Sequence, residues 1–309
     1  MAYDNFTIGT AEYKRAFWDK AMRGFQAPYE AVKGGRASHD TLVLPADSSR
    51  KYQEALRRES FFRRIATCVS VPQSNSDIWV SQGDELAEWT PEGGAVKINE
   101  TADQFTRYCI HCHKLAILTR LDNDYVHDIG FDVESYLTAH MAKRFGRAEE
   151  DAFLNGTGRN MPTGILHASE GAQTGIAAPQ IDFDGMIKLY LSVKPEYRRD
   201  GVWVMNDETA LTLRTLKDAD GNYLWNHNSG AILGRPVHIS EFMPSAVPGS
   251  APIAFGDFSY YWIVDRFPLS VRTLQERFAL RQQTGYLAYE FLDGRLTRPE
   301  AVKLLRIAG

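Results

Sequence analysis

Residues Phe131 to Leu154 carry the longest helical pattern in the chain, and a helix of that length constrains everything that must pack around it. Val133, Tyr136, Leu137, His140, Met141, Phe145, Ala148, Ala152 and Phe153 recur at helical spacing and form a broad apolar stripe. Asp132 stands where an N-cap acceptor belongs. The run NGTG, Asn155 to Gly158, is the expected stop, with Gly156 in the left-handed conformation. At 1.5 Å per residue such a helix is roughly 35 Å long. It is a structural beam and needs a sheet or helices of comparable length to cover its stripe.

What precedes the beam is uneven. Residues up to about Asp40 read as an arm: Phe17, Met22 and Phe25 give only a short stripe, and Gly24, Pro28, Gly34 and Gly35 punctuate the chain. TLVLP, from Thr41 to Pro45, is a short strand. Ala46 to Ile65 is a helix with Tyr52, Leu56, Phe62 and Ile65 on one face. Val69 to Val80 and Phe105 to Arg120 read as two strands separated by a long, polar, glycine-containing excursion. A connection this long is unusual in a compact domain, and β-like flanks make it an extended hairpin. A projecting hairpin buries little by itself and gains stability when a neighbour covers it.

After the beam, strands and helices alternate. Asp184 to Val193 is a helix, Val202 to Met205 a buried strand, and Asn206 or Asp207 caps a helix through Leu216. Asp220-Gly221 is a turn. Arg235 to Ser240, Pro252 to Phe255 and Ser259 to Val264 are strands. This predicts a compact α/β body. Strands return at Leu269 to Leu274 and Gly285 to Leu292, followed by a turn at Asp293-Gly294 and a last strand near Ala301 to Ile307.

Charge and cysteine use narrow the function classes. The net charge is −4, so the chain as a whole is not a basic nucleic-acid binder. Residues 1–67, however, hold 12 Lys+Arg against 8 Asp+Glu, a local +4, and the remainder carries −8. Such asymmetry permits contact with a polyanion and equally suits solvated helix faces. Three cysteines, Cys68, Cys109 and Cys112, do not make a disulfide framework, which points to synthesis in a reducing cytoplasm. No apolar run is long enough to span a membrane.

Chemistry-bearing motifs are sparse. Cys109-Ile110-His111-Cys112-His113 gathers metal-ligand types. On a strand, Cys109, His111 and His113 share a face and Cys112 points opposite. A fourth ligand would have to come from elsewhere, and no second CxxC is visible. The competing reading of this stretch is a partly buried strand. Glu149, Glu150 and Asp151 are adjacent carboxylates, but consecutive helix positions point apart, so they are not a ready acid/base pair. No nucleophile has an identifiable partner, and no GxSxG, HExxH or Walker sequence occurs.

Several local sequences, in order over nearly the whole chain, resemble one family. EYKRAFWDKAMRG (Glu12 to Gly24) resembles an N-terminal arm. RRESFFRRIATCVSVP (Arg57 to Pro72) and AEWTPEGG (Ala87 to Gly94) resemble the approach to an extended loop and its tip. FDVESYLTAHMAKRFGRAEEDAFLNGTGRNMPTGIL (Phe131 to Leu166) resembles a spine helix with a glycine-rich exit. LKDADGNYLW (Leu216 to Trp225), ILGRPVHISEFMP (Ile232 to Pro244) and FGDFSYYWIVDR (Phe255 to Arg266) resemble a compact axial domain, and LDGRLTRPEAVKLL (Leu292 to Leu305) a C-terminal return. The family is that of major capsid proteins of tailed double-stranded DNA phages, of the Hong Kong phage type.

The resemblance implies an α+β fold with an arm (residues 1–40) and a peripheral domain (41–166) containing an extended loop (71–106). It further implies an axial domain (167–264), return strands (265–293) and a C-terminal return (294–309). It implies a structural subunit of a virion capsid, not an enzyme, with no cofactor and no metal. Its partners would be copies of itself in hexamers and pentamers, a separate scaffolding protein, a portal protein, a possible decoration protein and packaged double-stranded DNA, but no membrane. Tyr13, Phe17, Trp18, Trp89, Glu92 and Lys97 become the expected inter-subunit contacts. Two departures from the family pattern stand out. Met1 stands about a dozen residues before the arm motif, where some members of the family carry a large scaffolding segment, so either scaffolding is expected from a separate protein or the numbering starts after a cut. Lys97 matches a cross-linking lysine, but Gln282 and Tyr289 stand where an asparagine and a catalytic glutamate would be, with Glu290 beside them. A non-covalent shell is therefore expected. The alternatives are an encapsulin-like compartment and, from another class, a metal-dependent enzyme using Cys109, His111 and His113.

Overall fold

A computed structural model describes residues 4–38, 41–71, 75–81, 89, 91–92, 105–218, 220–225 and 230–308. Its strands in chain order are β1 (Arg36–Ser38), β2 (Thr41–Val43), β3 (Thr67–Ser70), β4 (Asn75–Ser81), β5 (Phe105–His111), β6 (His113–Asp122), β7 (Gln173–Ala178), β8 (Val202–Met205), β9 (Ala231–Ile232), β10 (Arg235–Ile239), β11 (Ile253–Gly256), β12 (Tyr261–Leu274), β13 (Gln283–Leu296) and β14 (Val302–Ile307). One sheet has the order β1-β2-β12-β13-β6, with β3 also on β12. A second has the order β7-β14-β11-β8-β10-β9, and β4 pairs with β5 alone.

The expected beam is present as the spine helix, Val133–Asn155. Asp132 caps it, its carboxylate accepting from the Ser135 N–H at 3.0 Å. Leu137, Met141 and Phe145 are buried against the first sheet's Val271, Tyr286 and Ala288. A leading helix, Ala46–Glu59, lies beside it and contributes Tyr52 and Leu56. The expected helix over 46–65 breaks at Ser60, which is extended, before a short turn at Phe62–Ile65. The break lets Phe61 and Phe62, adjacent in sequence, both enter a central core with Phe153, Phe258 and Tyr261.

The central core also holds Val204, Ala254 and Val302 of the second sheet, so the two sheets share one apolar interior. A third cluster around Trp203, Phe255, Met186, Leu189 and Leu305 packs the helix Phe183–Ser192 and the helix Asp207–Thr215 onto the second sheet. Asn206 caps the latter, accepting from Thr209 N–H at 2.8 Å.

Three expectations change. Asp293-Gly294 is not a turn: β13 runs through it to Leu296, with Gly294 opposite Ile263 of β12. A Cβ on Gly294 would lie 2.7 Å from Tyr261 Oη and 3.1 Å from the Phe153 ring, so glycine is there for close packing under two aromatic rings. Gly156 is not left-handed either, having φ −60°. A Cβ there would lie 2.2 Å from the Pro162 carbonyl oxygen, and the left-handed residues come later, at Gly158 and Asn160. Finally, the segments Ser259–Val264 and Leu269–Leu274 join as β12 in the first sheet, interrupted by irregular register between Asp265 and Ser270. The chain thus passes from the second sheet to the first between Gly256 and Tyr261, and back to the second after Leu296.

Candidate assembly surfaces and a buried charge cluster

The arm side chains expected at a neighbour lie inside their own subunit. Tyr13 and Phe17 have no exposed surface and Trp18 is 6% exposed. Polar ties fix them: Tyr13 Oη donates to the Val43 carbonyl, Trp18 Nε1 donates to Ser48 Oγ at 2.9 Å, and Tyr286 Oη donates to the Met22 carbonyl at 2.8 Å. The reason is a π-helical stretch, Ala16–Ala21, in which Met22 N–H reaches Phe17 O at 2.8 Å. The wider turn realigns Tyr13, Phe17, Trp18 and Met22 onto one buried face that a 3.6-residue period does not reveal. Phe17→Ala should therefore destabilise the unassembled subunit by about 3–5 kcal/mol in denaturant titration. A variant that unfolds like the parent and fails only in assembly would return Phe17 to an interface.

The extended loop behaves differently. Its base pairs antiparallel from Asn75 opposite His111 to Ser81 opposite Phe105. The base is fastened to the end of β13 and the segment after it. Arg298 donates to the Ser81 carbonyl at 2.8 Å, Tyr108 Oη to the Thr297 carbonyl at 2.7 Å, and the His111 N–H to Asp293 at 3.0 Å. Further out, Trp89 is 100% exposed, and Pro91 and Glu92 are exposed beside it. Lys97 lies outside the described residues.

Cys109 and His111 lie in β5 and are exposed, but the strand breaks at Cys112 and His113 opens β6. The shared face expected of Cys109, His111 and His113 is lost at that break. His113 instead approaches Asp293 at 4.0 Å, and burial pushes the Cys112 thiol up to about 11. Among the described residues, no three His, Cys, Asp or Glu side chains gather as a metal site. All three cysteines are free.

Sequence reasoning missed a buried ionic cluster. Arg63, just past the helix break, places its guanidinium between the spine helix and β12. It donates to Glu149 at 2.7 and 2.6 Å and to Asp265 at 2.8 and 2.9 Å. Glu290 of β13 completes the group, accepting from Tyr52 Oη at 3.0 Å. Burial first, then the charge of Glu149, pushes the Glu290 carboxyl well above the usual carboxylate range. The adjacent Glu150 points to the other side, where Ser240 Oγ donates to it at 2.6 Å, and burial raises it too. The consecutive glutamates do point apart, as expected, but both point inward. Gln282 sits in the left-handed region after the turn before β13, and Tyr289 lies under Lys114, whose Nζ is 4.3 Å from the ring centroid.

A long helix crossing one sheet, a second sheet sharing its core and a hairpin projecting from the base define the major capsid fold of tailed phages. A solved structure from Microbacterium phage Oxtober96 has this fold at 15% identity, with a TM-score of 0.58, 80% of this chain and 90% of that chain covered. The chain belongs to the phage capsid family, whose profile matches residues 41–307. It is similar to the capsid of an empty GTA particle at 32% identity and a TM-score of 0.68, covering 80% of this chain and 89% of that one. The capsid of a native GTA particle is similar at 28% identity and 0.66, covering 91% and 99%. Comparison with curated proteins found no match. The protein is a structural subunit of a capsid shell. No helix among the described residues is long and apolar enough to cross a membrane.

Proposed function

We propose that this chain is the major subunit of an icosahedral phage-type head, assembling as hexamers and pentamers around double-stranded DNA. The observation that carries this reading is similarity over residues 41–307 to the phage capsid family, together with 32% identity to a GTA capsid. It acts as a building unit and not as an enzyme; it is made in the host cytoplasm and resides in the virion. A separate scaffolding protein and a portal would share in assembly, and a decoration protein could brace the shell. The arm (1–40), peripheral (41–166 and 265–293) and axial (167–264 and 294–309) regions are its functional divisions. An encapsulin-like compartment is not favoured, because the similarity runs to phage and GTA capsids.

In this reading, copies of the chain supply each other's missing burial. A fully exposed indole at Trp89 costs roughly 2–3 kcal/mol relative to burial, which a neighbouring subunit recovers. Trp89 and Glu92, with Lys97 along the same loop, are the contacts that remain candidates. Electron microscopy of the expressed protein tests the function: closed shells or capsomers support it, and a monodisperse monomer under all assembly conditions refutes it. With no asparagine or catalytic glutamate at the matching positions, mature particles should give a single subunit band in boiled denaturing gels. A ladder of covalent oligomers would show that another acceptor serves Lys97.

A further inference from the structure

The spine helix covers one face of the first sheet, so its outward side is subunit surface. On that side His140, Lys143, Arg144 and Arg147 recur at three- and four-residue spacing and line a groove of about 660 Å³, with Phe242 across from them. Two carboxylates stand by it: Asp151 lines it and keeps its charge while accepting from the neutral Asn155 amide at 2.9 Å, and Glu241 pairs with Arg147 at 2.9 Å, so Lys143 and Arg144 supply the excess positive charge. Among the described residues, neither Lys143 nor Arg144 has an ion-pair partner, and both are exposed. Burial and the charge of Arg144 push the His140 imidazole below its usual range, so its proton is not part of the site's charge at neutral pH.

The neighbouring leading helix belongs to the basic N-terminal segment and exposes Arg57 and Arg58. It closes on the spine helix where Gly146, one residue before Arg147, faces the Glu59 Cβ.

We infer that this groove on the spine helix is a binding site for the phosphate backbone of double-stranded DNA. The inference rests on the shell reading and names the surface that meets the enclosed nucleic acid. From His140 to Arg147 the stripe runs about 10 Å along the helix axis. Phosphates of one DNA strand advance about 3.4 Å each along the duplex, so the stripe spans roughly three of them. Lysine and arginine heads on long stems reach phosphates without reading bases, which suits a shell that must accept any sequence. Free cations that repel each other in the empty subunit are neutralised by the bound backbone, and counterions are released from the DNA.

The test uses the purified full-length subunit, a fluorescent short duplex of random sequence and a titration in salt between about 50 and 200 mM. The parent should bind with steep salt dependence. Lys143→Gln with Arg144→Gln should weaken binding roughly tenfold and flatten the plot of log affinity against log salt by about 2. Lys188→Gln with Arg281→Gln, exposed cations elsewhere, should change neither. Thermal melting of both variants shows that they fold. Unchanged affinity and slope in the groove variant, or no binding by the parent at low salt, overturns the site. Displacement of the duplex by poly-glutamate at equal charge would assign the groove to an acidic protein segment and overturn the DNA assignment. Electron microscopy of the same preparations separates the two readings. Shells with unchanged DNA binding reject this site alone, and a parent that forms no shells rejects the function on which it rests.

Discussion

Arg63→Met should cost the isolated subunit about 3–5 kcal/mol, a large share of the stability of an ordinary domain. The Arg63 side chain is only 8% exposed, and Glu149 beneath it is fully buried. Removing the guanidinium strands the Glu149 carboxylate without a counter-charge in a low-dielectric interior. It also releases Asp265, and so unties the helix break, the spine helix and β12 from one another. Arg63→Lys keeps the charge but has no planar fork to hold two carboxylates at once, so it should recover only part of the loss. Arg63→Met combined with Glu149→Gln should be more stable than Arg63→Met alone, because no charged Glu149 is then left unpaired. Chemical denaturation of the three variants measures this. A loss below about 1 kcal/mol for Arg63→Met would mean that water reaches Glu149, and the cluster would no longer count as a fastening.

The second large effect is a pH dependence centred on Glu290. This carboxyl is 7% exposed and receives Tyr52 Oη on one oxygen. Its Oε1 has no protein N–H or O–H facing it, and Glu149, Asp265 and Arg63 are the charged groups around it. One guanidinium cannot neutralise three carboxylates, so the folded state holds a proton on Glu290. In the unfolded chain the same group releases its proton near the ordinary glutamate value of 4.5. Stability is therefore undiminished below about that pH. It falls as pH rises, by up to about 1.4 kcal/mol per unit, until the folded-state value is reached.

Glu290→Gln supplies an amide N–H in place of the proton and keeps an oxygen for Tyr52. The variant and parent should melt alike near pH 4, and the variant should gain progressively as pH rises toward neutrality. A difference in melting temperature that stays constant across that range would remove the buried proton from the account. Because each subunit carries the cluster where the spine helix meets the sheet, the same substitution should make assembled particles less sensitive to alkaline pH.

The periodic features of this chain were legible without a structure, because local physics specifies them. The spine helix, its Asp132 cap, the buried strand Val202–Met205, the Asn206 cap and the β-like flanks of the hairpin each follow from side-chain period and capping chemistry. The ordered local resemblances supplied the family, and the sparseness of chemical motifs kept the candidate surfaces confined to the arm and loop. Tertiary packing decided the rest. A π-helical turn rotated Tyr13, Phe17 and Trp18 from an expected interface into the core. Two aromatic rings turned Asp293-Gly294 from a turn into mid-strand. Arg63, Glu149, Asp265 and Glu290 lie far apart in the chain, and only the meeting of helix and sheet makes them one electrostatic unit. Spacing along a chain fixes which residues share a face; it carries no information about which two faces meet, and burial of charge depends on that meeting.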